Sequence, residues 1–378
     1  MAQFDERPAR VESLTGLRWF AAFFVFIHHA ANLAPIRWIT VWSWLGVSGV
    51  TFFFVLSGFV LTWSWFPKDR AGRFYWRRFA RIYPLHFVTT LLAIPIFYGS
   101  VQSFQKPMNI GAIALTLALL HAWIGTTTYY FGGNPASWSL SDETFFYAIF
   151  PKAIRRICRS TTGQALQLAL VALLVMWLVL VLVNTVHLPH LISVLLIHSP
   201  LYRALQFVLG ICVGVAVRVG WRPRIGFWPA VGLLGLGLLS LAIWARVPSL
   251  QKIIPGTSIM DQVTAPLYAL VIATAAVRDI AGRPSFLRRP WLVTLGHWSY
   301  AFYLTHATVL YGLRLLNGGV MKQGIVINAA ATLGALGISI ALAGVLYRFL
   351  EHPVEGKLRG MLPPLDPTAA SYSAIRPK

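Results

Sequence analysis

The chain has 378 residues, 57% hydrophobic and only 11% charged, with a mean hydropathy of +0.66. That composition excludes a soluble globular domain and predicts a polytopic membrane protein. The formal net charge of +21 would suit nucleic acid, but the basic residues sit in short clusters between apolar segments. Positive-inside bias and anionic lipid account for them, so the expected partner is the bilayer and not a nucleic acid. Cys158 and Cys212 have no metal-ligand spacing and no base beside them, so neither a metal site nor a thiol nucleophile is expected.

Apolar segments that could span fall near 15–33, 44–65, 82–99, 108–125, 138–151, 164–186, 200–219, 226–245, 261–278, 291–315 and 324–350. The first follows Arg7 and Arg10 like a signal peptide, but it runs long, carries polar residues and lacks a small-x-small cleavage site; it reads as an uncleaved span. Four basic clusters are assigned to the cytosol, around Lys68–Arg81, Lys152–Arg159, Arg218–Arg224 and Arg278–Arg289. Five apolar segments precede residue 152 where parity wants an even number. One of 108–125 and 138–151 is therefore expected to be broken or re-entrant, and the linker TTTYYFGGNPAS suits non-helical backbone lining a cavity. The expected fold is an all-α membrane helical bundle of about ten transmembrane helices with both termini in the cytosol. The expected domain limits are 1–360 for the membrane domain and 361–378 for a disordered cytosolic tail. No internal repeat is visible, which weighs against a transporter built from inverted halves.

In chain order, the first polar residues at membrane depth are Arg18 and His29 in LTGLRWFAAFFVFIHH. Eleven residues at about 100° each return to the same helix face, about 16 Å further along the axis. His28 points elsewhere, so His29 is the better candidate for a shared task, and its depth is expected near mid-bilayer. In GVSGVTFFFVLSGFVLTWSW, Gly46, Gly49 and Gly58 allow close helix approach, and Ser57 could donate to a substrate. RFYWRRFARIYP puts Arg78 and Arg81 on one face, with Tyr83 next; the pair reads either as a phosphate clamp or as a positive-inside anchor. In WSLSDETFFY, Ser139, Glu143 and Tyr147 share a face, and Glu143 needs a partner, with Arg18 or a basic-cluster arginine the nearest by character. GHWSYAFYLTH places Ser299, Tyr303 and His306 at helical spacing. His306, His121, His86 and His297 read as hydrogen-bonded structural residues.

Taken together and in order, LTGLRWFAAFFVFIHH, FFFVLSGF, RFARIYP, WSLSDETFFY, GHWSYAFYLTH and YRFLEHP resemble the acyltransferase family 3 membrane proteins over nearly the whole chain. The LTGLRWFAA opening looks most like the actinobacterial members that acylate macrolide and related polyketide antibiotics. The resemblance implies transfer of an acyl group from acyl-CoA, acetyl or a longer short chain, to a hydroxyl of a small molecule or glycan, with no bound cofactor. It assigns donor binding to Arg78, Arg81 and Tyr83, and catalysis to His29 as general base, with Arg18 orienting the donor and Glu143 orienting His29 or binding acceptor. Ser57, Trp138, Ser139, Tyr147, Tyr303 and His306 are expected to line or support the cavity. Asp142 departs from the pattern, which commonly has an apolar residue there. A bacterial cytoplasmic (inner) membrane location is expected, and from the short stretch after the last span no periplasmic hydrolase-like domain is expected. An intracellular polyketide acceptor calls for a cavity open inward, a glycan acceptor for one open outward. The competing classes are a glycolipid or small-molecule transporter and a membrane scaffold.

Overall fold

The computed structural model describes residues 4, 8–186, 188–253 and 256–362; beyond Leu362, the expected tail lies outside the described residues. Among the described residues the regular structure is helical, with no strand. The elements are α1 (Glu12–Ala30), α2 (Arg37–Ser43), α3 (Ser48–Ser64), α4 (Ala71–Phe97), α5 (Ile110–Leu117), α6 (Thr127–Tyr130), α7 (Trp138–Ile157) and α8 (Thr162–Thr185). They continue with α9 (His190–His198), α10 (Pro200–Arg218), α11 (Phe227–Trp244), α12 (Pro248–Ile253), α13 (Gly256–Ile280), α14 (Pro290–Leu316), α15 (Ile325–Leu346) and α16 (His352–Gly360).

Among the described residues, seven segments are long and apolar enough to cross a membrane: Trp44–Ser64, Ala71–Phe97, Thr162–Thr185, His190–Arg218, Phe227–Trp244, Ile259–Ile280 and Ile325–Gly360. Helices α1, α7 and α14, at 19, 20 and 27 residues, are of similar length but more polar, and it is they that carry much of the site. Between 108 and 151 the break falls in the first segment. Helix α5 has 8 residues, about 12 Å of axial rise, too short for a hydrocarbon core of about 30 Å. Gly133 turns the following loop with φ +59, close against Thr116, where a Cβ would meet the Thr116 side chain. Asn134 pins this loop: its amide donates to the Leu304 carbonyl at 2.8 Å and its Oδ1 accepts from the Ala136 N–H at 3.1 Å. Backbone that leaves the helix at depth is thereby tied to protein and not left to lipid.

Helices α3 and α10 form the centre, almost wholly buried, whereas α8, α11 and α15 present most of their surface outward. Small residues make the central contact. A Cβ on Gly58 would lie 2.1 Å from the Phe207 carbonyl oxygen, and one on Gly210 would lie 2.0 Å from that of Val55. Backbones can approach this closely only without side chains, as is usual where helices pack in lipid. Gly58→Leu is therefore expected to separate α3 from α10 and destabilise the fold by about 3 kcal/mol or more, read as loss of folded protein in detergent thermal melts. Buried polar groups lock the same core: Arg203 of α10 ion-pairs with Asp261 of α13, and Thr51 of α3 donates to that carboxylate at 2.6 Å. The Arg218 guanidinium caps α3 by donating to the carbonyls of Thr62, Trp63 and Trp65.

Candidate active site

Two abutting cavities run through the bundle. The first, of about 120 Å³, is lined by Arg18 of α1, Ser57 of α3, Arg78 and Arg81 of α4, Ser139, Glu143 and Tyr147 of α7, and Ser299, Tyr300 and Tyr303 of α14. Helical periodicity converges these side chains, since Ser139, Glu143 and Tyr147 recur every four residues on one face. The Glu143 carboxylate accepts from the Tyr147 hydroxyl at 2.6 Å and from Ser57 Oγ at 3.1 Å. No arginine among the described residues ion-pairs with it, contrary to the expectation of a cationic partner. Two hydroxyl donors satisfy the carboxylate instead. The Arg18 Nε donates to Ser299 Oγ at 3.2 Å, so Arg18 and Glu143 face one cavity without pairing.

The arginine pair of α4 is uneven. Arg81 is ion-paired with Glu351 at 2.6 Å and Glu355 at 3.0 Å, which a π-turn over Tyr347–Glu351 and the start of α16 bring to it. Arg78 makes no ion pair among the described residues; its Nε is buried without a hydrogen bond, and its guanidinium lies 5.7 Å from the Phe74 ring and 5.8 Å from that of Tyr147. Of the two, Arg78 is the one without an ion-pair partner among the described residues. Tyr83 is not at this cavity. Five residues after Arg78 it sits about 140° around the helix, stacks on Phe79 at 4.9 Å and lines an adjoining groove that Arg78 and Tyr147 also border.

The second cavity, of about 410 Å³, is lined by His28 and His29 of α1, Trp138 of α7, Arg203 of α10, Tyr303 and His306 of α14, and aromatic residues including Phe97, Tyr98, Phe104, Tyr130 and Tyr311. Val50 and Tyr303 border both cavities. The Tyr303 hydroxyl is hydrogen-bonded to Ser139 Oγ at 2.9 Å, closing a septum between them. Arg18 and His29 do share a face of α1, as the spacing predicts, but they stand on opposite sides of this septum. His29 sits in the last turn of α1 and not near its middle, because the helix ends at Ala30. Arg81 lies toward the N-terminal half of α4 and Phe97 at its end, about 24 Å further on. The two cavities therefore occupy opposite ends of the bundle.

Glu143 does not hold His29; the partners of His29 are elsewhere. Its Nδ1 lies 3.0 Å from the Val25 carbonyl oxygen and 3.1 Å from His306 Nε2. His306, expected to be a hydrogen-bonded structural residue, is the side chain that meets this nitrogen. His28 lines the same cavity, with Nδ1 donating to the Ser43 carbonyl at 3.2 Å, so helical direction alone does not separate the two. His86 and His121 keep the structural bonds expected of them, to the Thr116 carbonyl at 3.0 Å and to Ser137 Oγ at 3.4 Å. Sequence reasoning missed Arg203, whose guanidinium pairs with Asp261 and lies 5.8 Å from the Trp138 ring. The signal was present, since a cation inside the apolar run YRALQFVLG carries the same weight as Arg18 in its own. Asp142 is buried, and its carboxylate oxygens have no hydrogen-bond partner among the described residues.

Comparison with known proteins adds a family and several relatives. The model of a family described as an acyltransferase domain matches residues 11–348. The chain is 33% identical over 369 residues to "Acyltransferase MdmB" of Streptomyces mycarofaciens, covering 92% of each. It is 25% identical over 390 residues to "O-acetyltransferase OatA" of Staphylococcus aureus, covering 93% of this chain but 58% of that protein. A shorter match, 29% identical over 176 residues, covers 42% of this chain and 48% of "Nodulation protein 10" of Rhizobium leguminosarum bv. viciae. No solved structure matches.

Proposed function

We propose, from the premise that this chain belongs to the acyltransferase 3 family and is a membrane O-acyltransferase, that it moves a short acyl group from acyl-CoA to a hydroxyl. The observation that carries this reading is the pair of abutting cavities, one lined by arginines and the other by a histidine pair, with Tyr303 common to both. A polyanionic donor is attracted to the end that holds Arg78, where charge-assisted contacts to phosphate are strong. Its thioester arm then reaches inward past Arg18 to the septum. On the far side His29 takes the proton of the acceptor hydroxyl as its oxygen attacks the thioester carbonyl. Collapse of the tetrahedral intermediate breaks the C–S bond, and the departing thiolate receives that proton. Arg18, in the donor cavity, is suited to orient the thioester arm, and Glu143, held by Ser57 and Tyr147, to set the polar wall of that passage.

Many aromatic rings and few charges around the second cavity suit a largely apolar hydroxylated acceptor, in keeping with a macrolide or related polyketide and with the full-length likeness to the Streptomyces acyltransferase. A second reading, O-acetylation of a cell-envelope glycan, is favoured by the placement of the cavities at opposite ends of the bundle. If the basic end faces the cytosol, an acceptor entering the other cavity arrives from the outer side of a bacterial cytoplasmic membrane. Masses of metabolites and envelope glycans compared between cells with and without the gene decide between them. An acyl increment on a secondary metabolite supports the first reading, the same increment on a glycan supports the second, and no increment on either contradicts both.

A further inference from the structure

His306 lies in α14, fully buried, 277 residues from the histidine it touches. Its Nδ1 is 2.7 Å from the Tyr303 carbonyl oxygen and 3.3 Å from that of Phe302. A carbonyl only accepts, so this nitrogen must carry the hydrogen. In the neutral ring that leaves His306 Nε2 as a bare acceptor. The same logic applies to His29, whose Nδ1 lies 3.0 Å from the Val25 carbonyl; that nitrogen must also carry its hydrogen. At 3.1 Å, the His29 Nδ1–H is shared between the Val25 carbonyl and the lone pair of His306. The two rings fit only in this arrangement, because a hydrogen on His306 Nε2 would face the hydrogen on His29 Nδ1.

From this geometry we infer that His306 is the positioning residue of the acyl transfer: it fixes His29 as the Nδ1–H tautomer and leaves the His29 Nε2 lone pair turned to the acceptor cavity. The inference rests on the proposed His29 chemistry. As His29 Nε2 takes the hydroxyl proton, its Nδ1–H becomes the donor of a cation, and a bond from a charged donor to His306 is stronger than the neutral one it replaces. The effect belongs to the transition state more than to the resting enzyme. The other titratable groups lining this cavity are His28 on the same helix and, from other elements, Tyr98, Lys106, Tyr130, His198, Tyr303 and Tyr311; His29 hydrogen-bonds with none of them. Arg203, which also lines the cavity, is already paired with Asp261.

Two substitutions separate positioning from packing. In His306→Phe a ring of similar size remains without an acceptor, while in His306→Gln the amide oxygen reaches about as far as imidazole Nε2. With full-length protein in nanodiscs, the Phe variant is expected to lose on the order of 10- to 100-fold in kcat, the size of one hydrogen bond to a charged group, with little change in KM for either substrate. The Gln variant is expected to recover most of that loss. A Phe variant with unchanged kcat, a loss confined to KM, or a Gln variant no better than Phe overturns the inference. Should the Phe variant fail to fold, the Gln variant and 15N spectra of the wild-type histidines still decide. A His29 signal of the Nδ1–H tautomer supports the proposal, and the Nε2–H tautomer refutes it. The spectra need no turnover, so wild-type protein that acylates nothing contradicts the enzymatic reading while leaving the pairing of the two rings separately tested.

Discussion

His29→Ala is expected to lower the rate of acyl transfer by about 10²- to 10⁴-fold, the usual contribution of a positioned general base, with the protein still folded and donor binding unchanged. The separation follows from the septum. His29 lines the second cavity, whereas the donor-side residues Arg18, Arg78 and Arg81 line the first. His28→Ala is the comparison that gives the result meaning. His28 faces the same cavity but donates to the Ser43 carbonyl and not to a second histidine, so its loss is expected to cost far less. Initial rates of both variants, alongside donor titration of the same preparations, check this. Equal losses in the two would mean that cavity shape, and not the proton on one ring, sets the rate.

The second large effect distinguishes the two arginines of α4. Arg78→Ala removes a cation with no ion-pair partner among the described residues, so the fold should be nearly untouched. The KM for acyl-CoA should rise by about 10- to 100-fold, as expected for one charged hydrogen bond to phosphate. Arg81→Ala is expected to act on the fold. It would strand Glu351, whose side chain is 1% exposed, as a buried carboxylate without its cation, a change that costs about 3 to 5 kcal/mol. Loss of the contact to Glu355 would also release α16 from α4. Thermal unfolding in detergent and donor KM, measured on both variants, should therefore show opposite patterns: a shift in KM for Arg78, a shift in melting for Arg81. Similar melting of the two would contradict the role given to Glu351.

Helix-level features of this arrangement were open to sequence reasoning because they depend on local periodicity and on the cost of polar groups in lipid. Arg18 and His29 on one face and Ser139, Glu143 and Tyr147 on another follow from spacing within two to three turns, and a broken segment between 108 and 151 follows from the parity of spans between basic clusters. The septum does not. Val50 comes from α3 and Tyr303 from α14, and nothing in either segment tells that they meet between Arg18 and His29. Arg81 illustrates the same limit, since its carboxylate partners lie about 270 residues away, as the separation of Arg81 from Glu355 shows. Tyr83 lies about 140° around α4 from Arg78, an offset that adjacency in RFARIYP conceals, and it meets Arg78 only in the adjoining groove, away from Arg18 and Glu143. His306 reads from sequence as a hydrogen-bonded structural residue that supports the cavity. Its Nδ1 meets backbone carbonyls of its own helix, and its Nε2 meets His29, 277 residues away, a contact that its own segment does not reveal.

Release of free thiol from acyl-CoA by the purified full-length protein, followed together with the mass of a hydroxylated acceptor, bears most directly on the two-cavity account. Stoichiometric gain of the acyl mass and release of CoA, both abolished in His29→Ala and both restored at high donor concentration in Arg78→Ala, is the predicted result. No thiol release from any acyl-CoA in the presence of polyketide or glycan acceptors would contradict it.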